Sequence, residues 1–530
     1  MINSDAIVIG SGPSSILCAT KLVENNIDTL MIDYGLELEK DKQKLVNELS
    51  LVDKKDWDKN HRYKLHQNKS FKYGGIPLKL IFGSDFAYSK AIDKLNLILK
   101  DIECFPSLAK GGLSNVWGGS ILPYQNNEFY NWPINLKDIE KYYKYVLDKI
   151  GISYQNDNLK NFFPTFTNSN GYLKYSSQTN ILRKINKKYQ NELENSGLYA
   201  GISRLAVNQK NHECIYCGSC LYGCVHSLIY NSGEDLNKLI KYDNFKYQNS
   251  LLVEKFIEKE NHIEVISKSI NGERVTFNAN RVYIGAGVLS TSKIVLNSYN
   301  ENIERKKTKA IDSQYFFLPA LMFASSKDVH EEKLHTLCQY FIEVQKKNFI
   351  KEWAHLQIYT YNDLFYQYLK KKLGVFYLFF GKFLEKFFLG RIIFIQGFLH
   401  SDLSSKAELK LKKNNDKVFM TVKQIKNKYT KKNIKEIINL LKKNSKYLGF
   451  FPISLFLKIG KFGRGFHSGG TFKMSSNNNE IGKTDIWGRP FSFKRAHIID
   501  SSTFPTIPST TITLTVMANA VRIADNHKNF

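Results

Sequence analysis

Four cysteines stand close together near the middle of the chain, with the spacing C-x2-C-x2-C-x3-C. They are Cys214, Cys217, Cys220 and Cys224, and the other three cysteines are scattered. In the reducing cytoplasm such a group favours metal or redox chemistry over disulfides. The spacing is typical of bacterial ferredoxins, although Val225 replaces the proline that usually follows. The four side chains are therefore candidate metal ligands, and an iron–sulfur cluster, a zinc ion and a metal-free packed loop all remain open.

Two glycine-rich segments predict a close approach of backbone to a large ligand. The first, Gly10, Gly12 and Ser15, reads G-x-G-x-x-S, one substitution from the dinucleotide-binding fingerprint. Asp33 follows Gly10 by 23 residues, near the spacing of a carboxylate that binds a ribose hydroxyl. The second segment, GGLSNVWGG at 111–119, exposes N–H groups that no Cβ shields, so it could face a flat or anionic ligand. An ordinary turn is the alternative for this second segment.

The elements that must position these residues begin with a βαβ unit. The apolar pattern predicts a strand over Asp5–Ile9, a helix over Ser15–Asn25 and a strand over Thr29–Ile32. The N terminus of that helix offers free N–H groups and the positive end of a dipole to a pyrophosphate. The polar, lysine-rich segment Leu38–Lys72 predicts a loop or an insertion.

Later elements are also predicted by their periodicity. A helical period runs from Trp132 to Ile152, and three alternating segments between Asn249 and Phe277 predict a small antiparallel meander. Residues 281–298 read as a buried strand, a further glycine turn and a helix. The apolar stretch TLTVMANAVRIAD near the end predicts a last helix.

Length and composition limit the classes of protein to which the chain can belong. A chain of 530 residues that is 43% hydrophobic predicts two or more folded domains. The net charge is +27, and about half of it comes from 16 lysines against 3 acidic residues between Ser405 and Lys461. No nucleic-acid-binding motif accompanies this run, so solvated lysine-rich faces are favoured over nucleic acid as the explanation.

The apolar stretch from Gly374 to Phe398 contains four charged residues and is therefore not expected to span a membrane. It predicts an amphipathic element that packs in the core, covers a substrate pocket or contacts a membrane surface. The chain starts with an apolar strand rather than a secretory leader. The expected location is therefore cytoplasmic, with peripheral membrane contact left open.

Four segments in order resemble the glucose-methanol-choline (GMC) flavoprotein oxidoreductases. They are IVIGSGPSS, GGLSNVWGG with the following WPINLKDIEKYY, VYIGAGVLSTSKIVL, and HSGGTFKM with IIDSSTFPTIPSTTITLTVMANAVRIAD. The resemblance implies that the second segment lies along the isoalloxazine ring of FAD. The residues it assigns to the cofactor are Gly10, Gly12, Ser15, Asp33, Gly111, Gly112, Ser114, Asn115, Trp117, Gly118, Gly287 and Asp500. Val116 stands where the pyranose-oxidase branch carries a flavin-linked histidine, which implies non-covalent FAD.

The same resemblance places the chemistry in the C-terminal segment. His467 aligns with the catalytic histidine of the family, which accepts the hydroxyl proton while hydride moves to flavin N5. Its usual partner, a histidine or an asparagine, is replaced by Thr511, which can donate a hydrogen bond but cannot share the proton. Asp500 matches the acid beside the ribityl chain, and Trp117 matches the sugar-oxidising branch.

These expectations combine into one prediction of fold and function. The fold class is α/β: a Rossmann-like FAD-binding domain (1–130, 205–300 and 465–530) and an α+β substrate domain built on an antiparallel sheet (131–204 and 301–464). The enzyme would oxidise an alcohol, with a sugar or sugar derivative as the leading substrate, using FAD. An iron–sulfur cluster would carry electrons to a redox partner protein or a quinone. The alternatives are a flavoprotein with an electron-transfer or non-redox role, and a metal-stabilised nucleic-acid or membrane-surface binding protein.

Overall fold

The chain opens with the predicted βαβ unit, which begins about two residues earlier than expected. Strand β1 is Asn3–Ile9, helix α1 is Pro13–Glu24 and strand β2 is Thr29–Ile32. Pro13 suits the first position of α1, where its missing N–H would have no partner within the helix. The two strands pair in parallel, with Ala6 opposite Thr29, so α1 crosses between them.

The structure is a computed structural model that describes residues 3–57, 64–65, 78–168, 171–210, 213–300, 306–327, 329, 332, 334–346, 353–364, 370–371, 374–377, 379, 388–415, 417–477 and 482–530. The later strands in chain order are β3 (Leu97–Lys100), β4 (Leu198–Ile202), β5 (Phe245–Gln248), β6 (Leu251–Glu258), β7 (Ile263–Ser269), β8 (Arg274–Ile284), β9 (Lys307–Asp312), β10 (Tyr315–Met322), β11 (Tyr340–Val344), β12 (Ala354–Tyr359), β13 (Ile392–Leu399), β14 (Lys406–Asn414), β15 (Lys417–Ile425), β16 (Phe450–Pro452), β17 (Lys458–Ile459), β18 (Ser468–Gly469) and β19 (Ala496–Ile498). The later helices are α2 (Lys40–Leu51), α3 (Ala91–Lys94), α4 (Glu140–Ile150), α5 (Ser177–Lys188), α6 (Gln190–Asn195), α7 (Ser232–Leu239), α8 (Val288–Ser298), α9 (Thr430–Lys443), α10 (Ser445–Leu448) and α11 (Thr513–Asp525).

The first sheet carries the βαβ unit and has the order β5-β2-β1-β8-β7-β6, with β19 also on β8. Strands β5, β2, β1, β8 and β19 are parallel, and the predicted meander β6-β7-β8 is antiparallel. Helices α1 and α11 pack against each other beside this sheet. Because β1 and β2 are buried on both faces, they read as continuous apolar runs, as parallel strands do.

The second sheet is antiparallel throughout, in the order β16-β10-β13-β12-β11-β4, with β17 on the other end of β10. Its even-numbered side chains on β10, β11 and β12, such as Leu318, Ile342 and Leu356, pack against the helices α5 and α9. The opposite face carries aromatic and polar side chains, including Phe317 and Phe341. A sheet with both faces covered must place any polar group on its second face beside protein or ligand.

The third sheet has the order β18-β9-β14-β15-β3. It takes β3 and β18 from the segments predicted for the FAD-binding domain and β9, β14 and β15 from those predicted for the substrate domain. This sheet therefore links the two groups of segments through hydrogen bonds. The division into domains at the boundaries given above stays a prediction.

Two local expectations changed. The segment Leu38–Lys72 was expected to be a loop or an insertion, and within it α2 occupies residues 40–51 because Val46 and Leu49 are buried on one helix face. Within the apolar stretch 374–398, residues 392–398 belong to β13, a buried central strand, and residues 378 and 380–387 lie outside the described part. No helix in the described part of the chain is long and apolar enough to cross a membrane.

The packing between β10 and β13 yields a test of the second sheet. Gly397 stands opposite Phe316, and a Cβ on Gly397 would overlap the Phe316 ring. We expect Gly397→Ala to destabilise the protein by about 1–3 kcal/mol, the usual cost of overpacking a core. The measurement is the apparent Tm at a fixed scan rate. The double variant Gly397→Ala/Phe316→Leu makes room for the methyl group and should recover part of the loss; an unchanged Tm for Gly397→Ala would contradict the packing.

Candidate active site

Three glycine turns that are distant from one another in sequence meet in the structure. Gly10 has φ +91°, and a Cβ on it would lie 2.9 Å from the carbonyl oxygen of Gly285. A Cβ on Gly112 would lie 3.4 Å from the Cα of Gly12. The backbone N–H of Gly111 donates to Ser11 Oγ at 2.9 Å. Glycine is required here because three backbone segments approach one another directly.

A large cavity of about 860 Å³ extends along these turns. Most of the residues predicted to contact the cofactor or to act in catalysis line it. They are Gly10, Gly12, Asp33, Gly112, Ser114, Trp117, Gly118, Gly287, His467, Asp500 and Thr511. The size is within the range of ligand-binding pockets. The structure thus brings residues from the start, the middle and the end of the chain to one site.

Three predicted cofactor residues do not line this cavity. Ser15 Oγ donates to the carbonyl oxygen of Gly285 at 3.0 Å and so fastens α1 to the end of β8. Gly111 is packed against α7, where a Cβ would lie 2.8 Å from Gly233 N. Asn115 donates from Nδ2 to the carbonyl oxygens of Lys110 and Gly112. These three residues shape the turns, and their predicted direct contact with FAD stays untested.

Two buried acids flank the cavity, and each lies just beyond the end of a parallel strand of the first sheet, β2 or β19. Asp33 follows β2 and accepts a hydrogen bond from Ser11 Oγ, while burial raises the pKa of Asp33 to about 7. Asp500 Oδ2 accepts from the N–H of Gly287 at 3.1 Å and from Thr291 Oγ1 at 2.6 Å. Burial also raises the pKa of Asp500. Asp500 therefore holds the turn that precedes α8.

The backbone at Gly12 and Gly287 opens onto free space. Nothing in the described protein lies within 4 Å of the place where a Cβ would stand on either residue. The N–H groups at the start of α1 and α8 point from these turns, as they do in sites that bind phosphate groups. Gly12, Gly287 and Asp33 are thus arranged as a dinucleotide site requires.

His467 precedes β18 and faces the same cavity. Its Nδ1 is buried and has no hydrogen-bond partner among the residues that the structure describes. Burial, and to a smaller extent nearby His355, lowers the pKa of His467 to about 3. The ring packs on Phe398 with a centroid distance of 4.8 Å. The imidazole is therefore neutral at physiological pH.

Thr511 and Trp117 are oriented by bonds to the main chain. Thr511 Oγ1 accepts from the N–H of Leu122 at 3.1 Å, which leaves its hydroxyl hydrogen available to donate. Trp117 Nε1 donates to the carbonyl oxygen of Tyr230 at 2.8 Å. Lys79 Nζ donates to the carbonyl oxygen of Trp117 at 2.8 Å, and burial lowers the pKa of Lys79 to about 8.

Sequence reasoning missed the wall of the cavity that the second sheet provides. Gln357, Tyr359 and Gln396 line the cavity from β12 and β13, and the buried Arg464 lines it three residues before His467. A signal was present in β12, where polar side chains alternate with Ala354, Leu356 and Ile358 in AHLQIY. Every residue of this strand is buried, and polar groups at alternate positions of such a strand mark a functional face.

The cysteine segment is not arranged as a metal site in the part of the chain that the structure describes. Cys214, Cys220 and Cys224 pack against the apolar cluster of Leu173, Leu205, Val207, Leu228 and Leu337. Among the described residues, which include all four cysteines, no group of three or more His, Cys, Asp or Glu side chains is placed to hold a metal ion. Burial raises the pKa of the Cys214 thiol to about 11. The iron–sulfur cluster predicted at Cys214, Cys217, Cys220 and Cys224 is thus not supported by the structure.

In this fold a buried imidazole shares one cavity with three glycine turns. Residues 453–520 match the C-terminal family model of the GMC oxidoreductases. No curated protein sequence matches the chain significantly. The predicted resemblance to the GMC oxidoreductases is confirmed by this match.

Solved structures agree with this assignment at the level of the fold. Pyridoxine 4-oxidase from Mesorbium loti superposes with a TM-score of 0.60 over 100% of both chains, at 10% sequence identity. A variant of formate oxidase from Aspergillus oryzae RIB40, studied for modification of its FAD, superposes with a TM-score of 0.61 at 12% identity, over 100% of this chain and 98% of that chain. The predicted fold class is confirmed.

A pair of glycine variants separates the two roles of the first turn. Gly10→Ala should lower the stability of the apoprotein, because φ is positive and Gly285 O leaves no room for a methyl group. Gly12 has φ −66° and free space, so Gly12→Ala should keep the apoprotein Tm and weaken FAD binding by about tenfold or more. Apoprotein melting and FAD titration measure these effects. Equal FAD affinity for Gly12→Ala and the unaltered protein would contradict this role of the turn.

Proposed function

We propose that this chain binds FAD and oxidises the CH–OH group of a small alcohol to a carbonyl. The observation that carries the proposal is a neutral, buried His467 in the same cavity as the three glycine turns. Oxidising an alcohol requires an acceptor for hydride and an acceptor for the hydroxyl proton. The cavity offers one place for each, at its glycine turns and at its imidazole.

The cofactor would be held by groups that already fit it. The start of α1 and the turn at Gly12 would bind the pyrophosphate, and Asp33 would bind a ribose hydroxyl. Gly112 and Gly118 would bring the loop against the flavin ring, which supplies the hydride acceptor when FAD is bound. Val116 has no side chain able to form a bond to flavin, so the proposed FAD is non-covalent.

The residues around the proposed reacting carbon have separate tasks. His467 would take the hydroxyl proton on a ring nitrogen, because its neutral form prevails at pH 7. Thr511 would donate a hydrogen bond from its hydroxyl to the substrate oxygen. Lys79 and Arg464 line the same cavity, and their positive charge would stabilise the negative charge that develops on the substrate oxygen as its proton moves to His467.

The experiment that tests this proposal is purification without oxygen, a visible spectrum and titration with alcohols and sugars. A yellow protein whose flavin is bleached by one class of CH–OH compound supports the proposal. A flavin that no alcohol reduces would favour an electron-transfer role instead. A protein without flavin, with salt-sensitive binding to RNA or to anionic lipid, would overturn it in favour of a binding protein.

Removal of the imidazole provides a direct test of the base. His467→Ala should lower the rate constant of flavin reduction by about 10² or more while FAD stays bound, the usual size of a general-base contribution. The control is His262→Ala, since His262 lies partly exposed beside β7 and outside the cavity. Stopped-flow reduction under nitrogen measures both variants. An unchanged rate for His467→Ala would show that another group takes the proton.

The depressed pKa of His467 predicts an unusual pH profile. Because this pKa is about 3, the neutral base persists far below the ordinary value of 6.5. The limiting rate of flavin reduction should therefore show no acidic limb near pH 6.5. The unfolded chain takes up a proton near pH 6.5 that the buried imidazole does not, so stability falls at lower pH, and circular dichroism must confirm folding at each point. A limb at pH 6.5 that disappears in His467→Ala would contradict the burial of this base.

A further inference from the structure

The cavity has one wall that is both flat and polar, the inner face of the second sheet. The register pairs Tyr315 with Phe398 and Phe317 with Gln396 across β10 and β13. It also pairs Gln396 with Gln357 across β13 and β12. Two amide side chains therefore lie side by side on adjacent strands, and both line the cavity. Directly opposite residues of an antiparallel pair have Cβ atoms about 5 Å apart.

The first of these amides is held in place by hydrogen bonds within its own strand. Gln357 Nε2 lies 3.3 Å from His355 Nε2, and the Tyr359 hydroxyl donates to Gln357 Oε1 at 3.4 Å. An amide carries two N–H donors and an oxygen with two lone pairs. These two contacts use one N–H and one lone pair, so Gln357 can still bind a group that both donates and accepts.

A buried carboxylate–imidazole pair lies behind Gln357 and fixes the position of its amide. His355 Nδ1 lies 2.8 Å and 3.0 Å from the two carboxylate oxygens of Glu343, and both residues are fully buried. A carboxylate only accepts, so Nδ1 of His355 carries a proton and the ring is held with Nε2 toward the Gln357 amide. His355 on one side and Tyr359 on the other thereby hold the amide of Gln357 in place.

The amide pair lies between the proposed base and the glycine loop. Phe398, two residues along β13 from Gln396, packs on His467 at 4.8 Å and on His355 at 6.3 Å between ring centroids. At the other end, the Tyr359 hydroxyl is 3.2 Å from the place of a Cβ on Gly118. A substrate whose carbon faces the loop and whose hydroxyl faces His467 would thus rest against these amides.

We infer that Gln357 and Gln396 form a hydroxyl-binding subsite that selects a polyhydroxylated substrate, a sugar or sugar derivative, over a simple alkanol. Neighbouring hydroxyls of such a substrate donate and accept, as the two amides do, and an alkanol would leave the buried Gln357 amide and the partly buried Gln396 amide without these partners. Glu343 and His355 are positioning residues that act through Gln357. The inference rests on the proposed alcohol oxidation and adds the substrate class and the residues that choose it.

The test compares hexoses, their monodeoxy derivatives and n-alkanols as reductants of the FAD-bound enzyme in anaerobic stopped-flow experiments. We expect the best hexose to exceed the best alkanol in the ratio of limiting rate to apparent Kd. Gln357→Met, which keeps side-chain length, should raise the apparent Kd for that hexose by about tenfold and lower the hexose-to-alkanol ratio by about the same factor. Gln396→Met should change the apparent Kd and the hexose-to-alkanol ratio in the same directions, and it tests the second amide independently. The matched control is Gln190→Met, since Gln190 lies on α6, bonds Glu194 and does not line the cavity.

The positioning role is tested with Glu343→Gln and with the double variant Glu343→Gln/Gln357→Met. If Glu343 acts through Gln357, the double variant should weaken hexose binding no more than Gln357→Met alone. Fully additive losses would overturn the positioning role. Reduction by alkanols in preference to every hexose, or an unchanged ratio in Gln357→Met and Gln396→Met, would overturn the subsite while leaving alcohol oxidation intact. Failure of all alcohols and sugars to reduce the flavin would overturn the proposed function itself.

Discussion

The site depends on one steric constraint: three backbone turns from distant parts of the chain must meet without side chains between them. Gly10 reaches the carbonyl of Gly285, and Gly12 reaches Gly112. Ser11 joins the turns, since its hydroxyl donates to Asp33 and accepts from the N–H of Gly111. These contacts set the floor of the cavity, and the other functional groups are placed relative to it.

The wall of the cavity opposite these turns contains polar side chains whose state is set by their burial. His467 remains neutral because it is removed from water, whereas Glu343 and His355 are retained in the interior as a hydrogen-bonded pair. A buried carboxylate is costly unless it is paired. The strand that carries His355 therefore contains a polar side chain that must be paired in the interior, and the same strand places the Gln357 amide in the cavity. The sheet thus packs against helices on one face and lines the cavity with the other.

Features that depend on residues close together in sequence could be predicted, whereas features that depend on contacts between distant residues could not. The β1-α1-β2 unit and α11 could be predicted almost to the residue, because apolar periodicity and glycine turns are local signals. Helix α2 was missed because only Val46 and Leu49 are buried in its polar sequence. Gln357 and Gln396 could not be paired from sequence, since their register depends on strands separated by a long connection. The cysteine spacing suggested a metal site, but packing against apolar side chains rather than spacing decides where those sulfur atoms lie.

The order of strands in the first sheet has a consequence for synthesis of the chain. Strand β1 is made among the first ten residues, but its second neighbour, β8, ends only at Ile284, and β19 follows after almost the entire chain. At a translation rate of roughly 5–20 residues per second, the open edge of β1 stays without β8 for about 10–50 s. An unpaired apolar strand edge is a site of aggregation during that time. The same chain order that gathers distant segments around one cavity therefore delays completion of the first sheet until β19 has been synthesised.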